Sequence, residues 1–189
     1  MSLIPFGFWA ASGAGGGGAA YELLETTTLA SAASSVTFSG LGSYSDYAHL
    51  QIRAVVARGD DFSVLIDLEL RINADLTGDN YASHRLEGNG SAVTSDRILA
   101  SGDIRLPNVV PAVTESNVFG ASVIDILDFS STDKNTTVRA LSGAVSADEN
   151  SVSLASGLYA LTDAVTSIRL NAGNLRVGSR FSLYGIKGA

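Results

Sequence analysis

The two histidines, His49 and His84, are the residues of this 189-residue sequence best suited to bind a metal ion or carry a proton. A zinc site needs three or four ligands, and neither histidine lies in an HxH or HExxH motif. The sequence has no cysteine, which excludes disulfides, thiolate-bound zinc and a cysteine nucleophile. We therefore interpret both histidines as residues that form hydrogen bonds between neighbouring strands.

Carboxylates and serines could support hydrolysis, but their spacing does not favour it. Paired carboxylates cleave glycosidic bonds, and the candidate pair is Asp125 and Asp128. Three positions apart on a strand, these two side chains point to opposite faces of the sheet. The serines include no G-x-S-x-G motif in a strand–turn–helix context. The sequence thus predicts no catalytic residue, no cofactor and a protein that is not an enzyme.

One acidic segment, residues 75–80, could bind calcium. It reads DLTGDN, and Asp75 and Asp79 are its candidate oxygen ligands. The segment is shorter than an EF-hand loop and lacks the glutamate that closes one. Asp, Gly and Asn are also the residues that a turn after a strand requires. We interpret the segment as a turn and predict no metal site.

The composition favours an extracellular or virion β protein over a nucleic-acid-binding protein. The net charge is −7, and the 12 Lys and Arg residues form no run, whereas binding to a phosphate backbone requires clustered cations. Charged residues make up 16% of the chain, below the roughly 25% of typical soluble domains. Ser, Thr, Asn and Gly therefore have to cover much of the surface. The length suits one domain with a sizeable core.

Alternating apolar and polar residues predict an all-β fold. Residues 62–72 alternate without a break and place six apolar side chains on one face: Phe62, Val64, Ile66, Leu68, Leu70 and Ile72. Similar patterns and turn signals predict about nine strands, including residues 47–56, 81–87, 117–129, 136–142 and 152–161, the last bent at Gly157. Residues 91–115 are expected to be mostly loop, and residues 165–170 and 180–186 to form a closing hairpin. The patterns imply an antiparallel β-sandwich, jelly-roll-like.

The first twenty residues differ from the rest, and we predict an extended N-terminal arm at 1–20 ahead of a β-sandwich domain at 21–189. Residues 1–11 read MSLIPFGFWAA, and residues 13–18 read GAGGGG, a flexible linker. The apolar part is too short to span a membrane, and no Lys or Arg precedes it as in a signal peptide. Since an exposed cluster of Phe6, Phe8 and Trp9 is unfavourable unless it docks, we expect these residues to bind a partner. A disordered tail and a processed leader are the alternatives.

Several stretches resemble a family of small bacteriophage virion proteins. The resemblance rests on YAHLQIR at 47–53, NY at 80–81, HRL at 84–86, GNG at 88–90, IDILDF at 124–129, KNTTVR at 134–139 and GSRFSLYGI at 178–186. It covers most of the chain after Tyr21. It implies a homo-oligomer, often a trimer, of β-sandwich subunits, and makes His84 and Arg85 candidates for contacts between subunits. The family supplies no catalytic residues.

These observations lead us to expect a virion structural protein, made in the host cytoplasm and located on the surface of the phage particle. The main expectation is a capsid decoration or cement protein, joined through its N-terminal arm to a major capsid or tail protein. The alternative is a tail fibre or tail-tip module that binds a host-surface glycan. Tyr44, Tyr47, Tyr81 and Tyr159 would be available to stack on its sugar rings. Neither nucleic acid nor membrane is expected as a partner.

Overall fold

A computed structural model of the chain describes residues 20–59, 65–110, 117–145 and 150–188, and for residues 107–110 it describes the backbone alone. These residues form twelve strands and two single-turn 3₁₀ helices, Leu41–Tyr44 and Gly78–Asn80. The strands are β1 (Tyr21–Thr28), β2 (Ala33–Ser39), β3 (His49–Val56), β4 (Ile66–Ile72), β5 (Tyr81–Gly88), β6 (Val93–Leu99), β7 (Ile104–Val110), β8 (Gly120–Leu127), β9 (Thr136–Val145), β10 (Asn150–Tyr159), β11 (Ser167–Leu175) and β12 (Arg180–Ile186).

The strands form two antiparallel sheets that pack together, which confirms the predicted β-sandwich. The large sheet has eight strands in the order β1-β12-β3-β8-β9-β10-β5-β6. The small sheet has four, in the order β2-β11-β4-β7, and β7 packs against the inner face of β9 and β10. Because the large sheet has twice as many strands, part of it extends beyond the small sheet.

The core between the sheets follows from period-two alternation, as predicted. In β3, the alternate residues Leu50, Ile52, Ala54 and Val56 are buried. In β4, Leu68, Leu70 and Ile72 are also buried, and Ile66 packs against the same core. The first part of the predicted strand, including Phe62 and Val64, lies outside the described residues.

The pairing of the strands is nested. Along the chain, β1 pairs with β12, β2 with β11, β3 with β8 and β4 with β7. The remaining four strands form two hairpins, β5–β6 and β9–β10, which join edge to edge through β5 and β10. Both hairpins extend the large sheet beyond β8.

The prediction of a loop over residues 91–115 is wrong for most of that segment, because it contains β6 and β7. β6 is the outer edge of the large sheet, and all but one of its side chains are exposed, so it shows no apolar alternation. β7 contains Pro107, which has no N–H to donate. It is an edge strand of the small sheet, where proline is tolerated.

The predicted closing hairpin is also wrong. β11 continues through residues 171–174, where the sequence NAGN predicts the turn of that hairpin, and pairs with β2 and β4 in the small sheet, whereas β12 pairs with β1 and β3 in the large sheet. The turn residues form an irregularity inside β11: the register against β2 shifts between Asn171 and Leu175, and Gly173 has a φ of 79°. The chain reverses later, at Gly178, where φ is 87°.

The predicted bend at Gly157 is absent, since β10 pairs with β5 and β9 without a shift in register. Gly157 instead allows a close approach between the sheets. A Cβ atom at this position would collide with the side chain of Ile104 on β7. The glycine therefore lets the small sheet pack directly on β10.

Tyr81 connects the sheets through its hydroxyl group. It begins β5 in the large sheet, yet its Oη accepts a hydrogen bond from the Ile72 N–H (3.2 Å) and donates to the Ile72 carbonyl (3.0 Å) at the end of β4. Its ring lies 5.1 Å from that of Tyr159, and both tyrosines are buried. This contact fixes the position of one end of the small sheet on the large one.

Candidate interaction surface

β10 directs its valine and leucine side chains away from the core. Ser153, Ala155 and Gly157 face inward and are buried, whereas Val152 and Leu154 face outward and are exposed. The small inward residues suit the close approach of the small sheet. The outward residues contact none of the small sheet, because they lie on the opposite face.

The exposed residues of four neighbouring strands form a continuous row. Val123 on β8 lies opposite Leu141 on β9, Leu141 opposite Leu154 on β10, and Leu154 opposite Leu86 on β5. Side chains in such positions contact one another across an antiparallel sheet. We call this the leucine row.

A second row of outward-facing residues runs parallel to the leucine row and is displaced from it by two residues along each strand. It consists of Val55, Ala121, Gly143, Val152, Gly88 and Val93. Its two glycines and one alanine lower the surface between the larger residues. The result is a shallow depression of about 500 Å³ around Gly143, lined by Val55, Val123, Leu141 and Val152 and also by Arg53 and Arg180. We refer to the two rows together as the apolar rows.

The large side chains of the apolar rows have an unusually high exposed fraction. The exposed fraction is 57% for Leu141, 50% for Leu154 and 49% for Leu86. From β8 to β6 the two rows contain no charged residue. A contiguous uncharged patch of this kind is typical of an interaction surface, whereas isolated exposed leucines are not.

Charged residues border the apolar rows and are mostly cationic. The outward positions of the large sheet carry four arginines, Arg53, Arg97, Arg139 and Arg180, and one aspartate, Asp125. Asp125 is bound by Arg139 (Nη2–Oδ2, 2.9 Å) and accepts a hydrogen bond from Gln51 Nε2 (2.7 Å). The face thus has a surplus of three positive charges, four minus one, on a chain whose net charge is −7.

Two aromatic rings lie at the β1 edge of the same face. Tyr21 stacks on Tyr184 with ring centroids 4.8 Å apart, and the Arg53 guanidinium lies 5.2 and 5.1 Å from the two centroids. The Tyr21 hydroxyl donates to Gln51 Oε1 at 2.7 Å. Burial raises the pKa of Tyr21, while Arg53 opposes the rise. Aromatic rings beside amide and guanidinium groups can bind planar or sugar-like ligands.

The two histidines have different surroundings. His49 Nδ1 accepts a hydrogen bond from the Asp128 N–H at 3.0 Å, which fits the interpretation of a histidine bonded to a neighbouring segment. His84 is exposed on the outer face of β5, opposite Arg97. Arg85 faces the other side of the sheet and pairs with Asp67 (3.0 Å) and Asp96 (3.6 Å). His84 and Arg85 therefore lie on opposite faces, and their contact role stays a prediction.

The acidic segment at 75–80 forms a hydrogen-bonded turn. Asp75 Oδ2 accepts from Asn80 Nδ2 (2.7 Å) and Oδ1 from the Thr77 N–H (2.8 Å). The bond from Asn80, followed by that from Thr77, lowers the pKa of Asp75 to about 2. Asp79 is exposed. Both Asp75 oxygens are thus used within the turn.

A second cluster of charges lies on the outer side of the small sheet. The buried carboxylate of Asp103 lies 2.8 Å from Arg105 Nε and 3.6 Å from Arg71 Nη2. The Arg105 contact is short but poorly angled for a hydrogen bond, so its effect is mainly charge neutralisation. Burial raises the pKa of Asp103, and Glu69 adds to the rise, while Arg105 and Arg71 oppose it. Arg105 also pairs with Glu69 at 3.1 Å, so the cluster stabilises the sheet.

The tyrosines proposed for sugar stacking are poorly placed for it. Tyr81 and Tyr159 are buried in the core, so neither can contact a glycan. Tyr44 and Tyr47 pack against the core and are partly buried. Tyr21 is exposed and stacks on the partly buried Tyr184, and the sequence singled out neither of these two rings.

The structure tests the remaining site predictions only in part. Phe6, Phe8 and Trp9 lie outside the described residues. Within the described ranges, no three His, Asp or Glu side chains converge as metal ligands. Nor does this part of the chain include a helix with the length and hydrophobicity of a membrane span.

Comparison with protein-family models gave no match, and comparisons with curated proteins and with solved structures also gave none. The resemblance to phage virion proteins therefore stays a prediction.

Proposed function

We propose that this chain is a non-enzymatic structural protein on the surface of a bacteriophage particle. The observation that carries the proposal is the pair of apolar rows, whose large side chains point away from the chain's own core and lie side by side across the large sheet. Exposed apolar surface of this extent is unfavourable in an isolated protein and is typical of one that assembles.

We interpret the fold as a jelly roll, which the nested pairing supports. The eight strands β1–β4, β7, β8, β11 and β12 form two sheets of four, as two Greek keys require. The hairpins β5–β6 and β9–β10 then add four strands to one sheet. These added strands carry most of the leucine row, since Leu86, Leu141 and Leu154 all lie on them. The additions thus provide the interaction surface.

Within this proposal, the chain is a capsid decoration protein that attaches through Phe6, Phe8 and Trp9 and assembles as a homotrimer. The surplus of arginines around the apolar rows favours a partner on the particle that is apolar at its centre and carries carboxylates at its rim. A major capsid or tail protein with such a surface would fit.

The anchor can be tested in the full-length chain. Phages are grown with a variant carrying Phe6→Ser, Phe8→Ser and Trp9→Ser, and the copies per purified particle are counted by quantitative mass spectrometry. We expect occupancy to fall strongly, while the circular dichroism spectrum of the purified variant stays that of a β protein. The matched control is Val177→Ser, an exposed apolar residue in the β11–β12 turn. Full occupancy of the triple variant would refute attachment through the arm.

The second candidate is a tail-fibre or tail-tip module that binds a receptor glycan. The observation that favours it is the stack of the exposed Tyr21 on the partly buried Tyr184, with Arg53 and Gln51 beside it. A glycan array probed with the full-length chain and with Tyr184→Ala tests this candidate. Binding that Tyr184→Ala abolishes would favour it, and so would a low copy number, because a decoration protein covers the whole capsid lattice.

A further inference from the structure

We infer that, in the free protein, the N-terminal segment 1–11 docks on the apolar rows of its own large sheet. Two features of the chain suit each other: its first residues are an apolar segment on a glycine linker, and the sheet carries an uncharged apolar surface that none of the described residues covers. The inference uses the arm of the proposed function, but it concerns the protein before assembly.

The chemistry of the segment matches that of the surface. Residues 1–20 contain no Asp, Glu, Lys or Arg, and the apolar part includes Leu3, Ile4, Phe6, Phe8 and Trp9. The apolar rows from β8 to β6 are likewise uncharged, with a depression at Gly143 that can receive a ring. Arg53 and Arg180 also line the depression, but both side chains are exposed, so their guanidinium groups can stay in water while the arm contacts the apolar residues.

The linker is long enough to reach. The chain leaves the sheet at Tyr21, which pairs with Ile186 on β12. The leucine row crosses β12 at Ser182, four residues from Ile186. Four strand spacings separate β1 from β9. With about 4.8 Å per strand and 3.4 Å per residue, Leu141 lies roughly 24 Å from Tyr21. The eleven residues 10–20 span up to about 38 Å when extended.

The charges around the apolar rows argue against a second copy of the same face as the occupant. Two identical faces would bring together four arginines and one aspartate from each copy. Like charges brought together at an interface oppose association. The uncharged arm meets no such repulsion, and its short linker gives it a high effective concentration at its own sheet.

Docking in the free protein would make the arm and the sheet cover each other. Both elements that the proposed function uses for assembly would then be unavailable until a surface on the particle displaces one of them. This arrangement would keep an exposed apolar patch from associating with other proteins before assembly.

Trp9 is the only tryptophan in the chain, so its fluorescence reports on the arm alone. We compare emission wavelength and iodide quenching in the full-length chain, in Leu141→Asp and Leu154→Asp, and in the control Leu76→Asp. Leu76 is 70% exposed and lies in the β4–β5 turn, away from the face. We expect blue-shifted, protected emission in the unaltered chain and in the control. Either row variant should shift emission toward that of tryptophan in water and increase quenching.

Three results would overturn the inference. The first is water-like emission from the unaltered chain. The second is protected emission that neither row variant changes, which would place the arm elsewhere. The third is protection that disappears on dilution together with a fall in light-scattering mass, which would show that the arm binds a second copy. None of these outcomes depends on particle occupancy, so the proposed function can fail or stand independently.

Discussion

Leu141 on β9 and Leu154 on β10 lie directly opposite each other on the outer face of the large sheet, and each is exposed over at least half of its side chain. A pair of this kind contributes little to folding, about 0.2–1 kcal/mol across an antiparallel sheet. The two residues are therefore free to serve an interaction rather than the core.

A charge at Leu141 should separate interaction from stability. We expect Leu141→Asp to change the free energy of unfolding by no more than about 1 kcal/mol, because the residue is half exposed. Urea denaturation followed by circular dichroism measures this change. The same variant should lower occupancy on the particle. A loss of several kcal/mol would show that Leu141 belongs to the folding core, and the surface would have to be reassigned.

Asp75 should make the fold sensitive to acid. Its pKa is about 2 in the folded protein against the ordinary 3.8 of an aspartate, so between these two pH values the folded state binds fewer protons than the unfolded state. The stability that Asp75 contributes is therefore present above about pH 4 and lost as pH falls toward 2. The difference in unfolding free energy between the unaltered chain and Asp75→Asn should shrink over that window. A difference that stays constant from pH 5 to pH 2 would contradict the turn geometry.

Two glycines on neighbouring strands provide a matched pair for packing. Gly157→Ala would push a methyl group into Ile104, so we expect a loss of about 1–3 kcal/mol from overpacking. Gly143→Ala adds the same methyl group on the opposite face, where the nearest atom is 3.6 Å away, and should leave stability within about 0.5 kcal/mol. Thermal and urea unfolding would measure both. If the two substitutions lowered stability equally, the small sheet would not pack closely on β10.

The hydroxyl of Tyr81 should matter more than that of an exposed tyrosine. Tyr81→Phe leaves the Ile72 N–H and carbonyl without this buried partner, which should cost about 1–3 kcal/mol. Tyr21→Phe removes an exposed hydrogen bond to Gln51 that water can replace, and should cost less than about 1 kcal/mol. Urea unfolding of the two variants should show the larger loss of stability for Tyr81→Phe. A Tyr81→Phe variant as stable as Tyr21→Phe would rule out a strong connection between the sheets.

Period-two alternation was sufficient to predict β3 and β4, because all their large apolar residues except Val55 point into the core. The alternation also identifies β10 as a strand, but it does not show which face of β10 points into the core. Over residues 152–158 of β10, Ser153, Ala155 and Gly157 face inward and the valine and leucines face outward, the reverse of the usual rule. A signal was present in the sequence VSLASGL, where every inward position is small. The reason for these small inward residues appears only in the structure, where Ile104 on β7 packs against Gly157.

Other features depend on strand register, which a single sequence does not contain. The alignment of Val123, Leu141, Leu154 and Leu86 involves four strands that are up to 68 positions apart, 154 minus 86. Likewise, β6 shows no alternation because it is exposed at the edge of the sheet. The stack of Tyr21 on Tyr184 arises because the first and last strands pair. These relationships form only when distant segments meet.

The nested pairing also sets when the protein can fold during synthesis. β1 must pair with β12, so about 150 residues are made between a strand and its partner. At about 5–20 residues per second, β1 waits roughly 8 to 30 seconds before that partner leaves the ribosome. The β9–β10 hairpin can close much sooner, because its strands are neighbours in the chain. The last strand to emerge therefore completes the large sheet, and a ribosome that stalls before residue 180 releases a chain whose first strand has no partner.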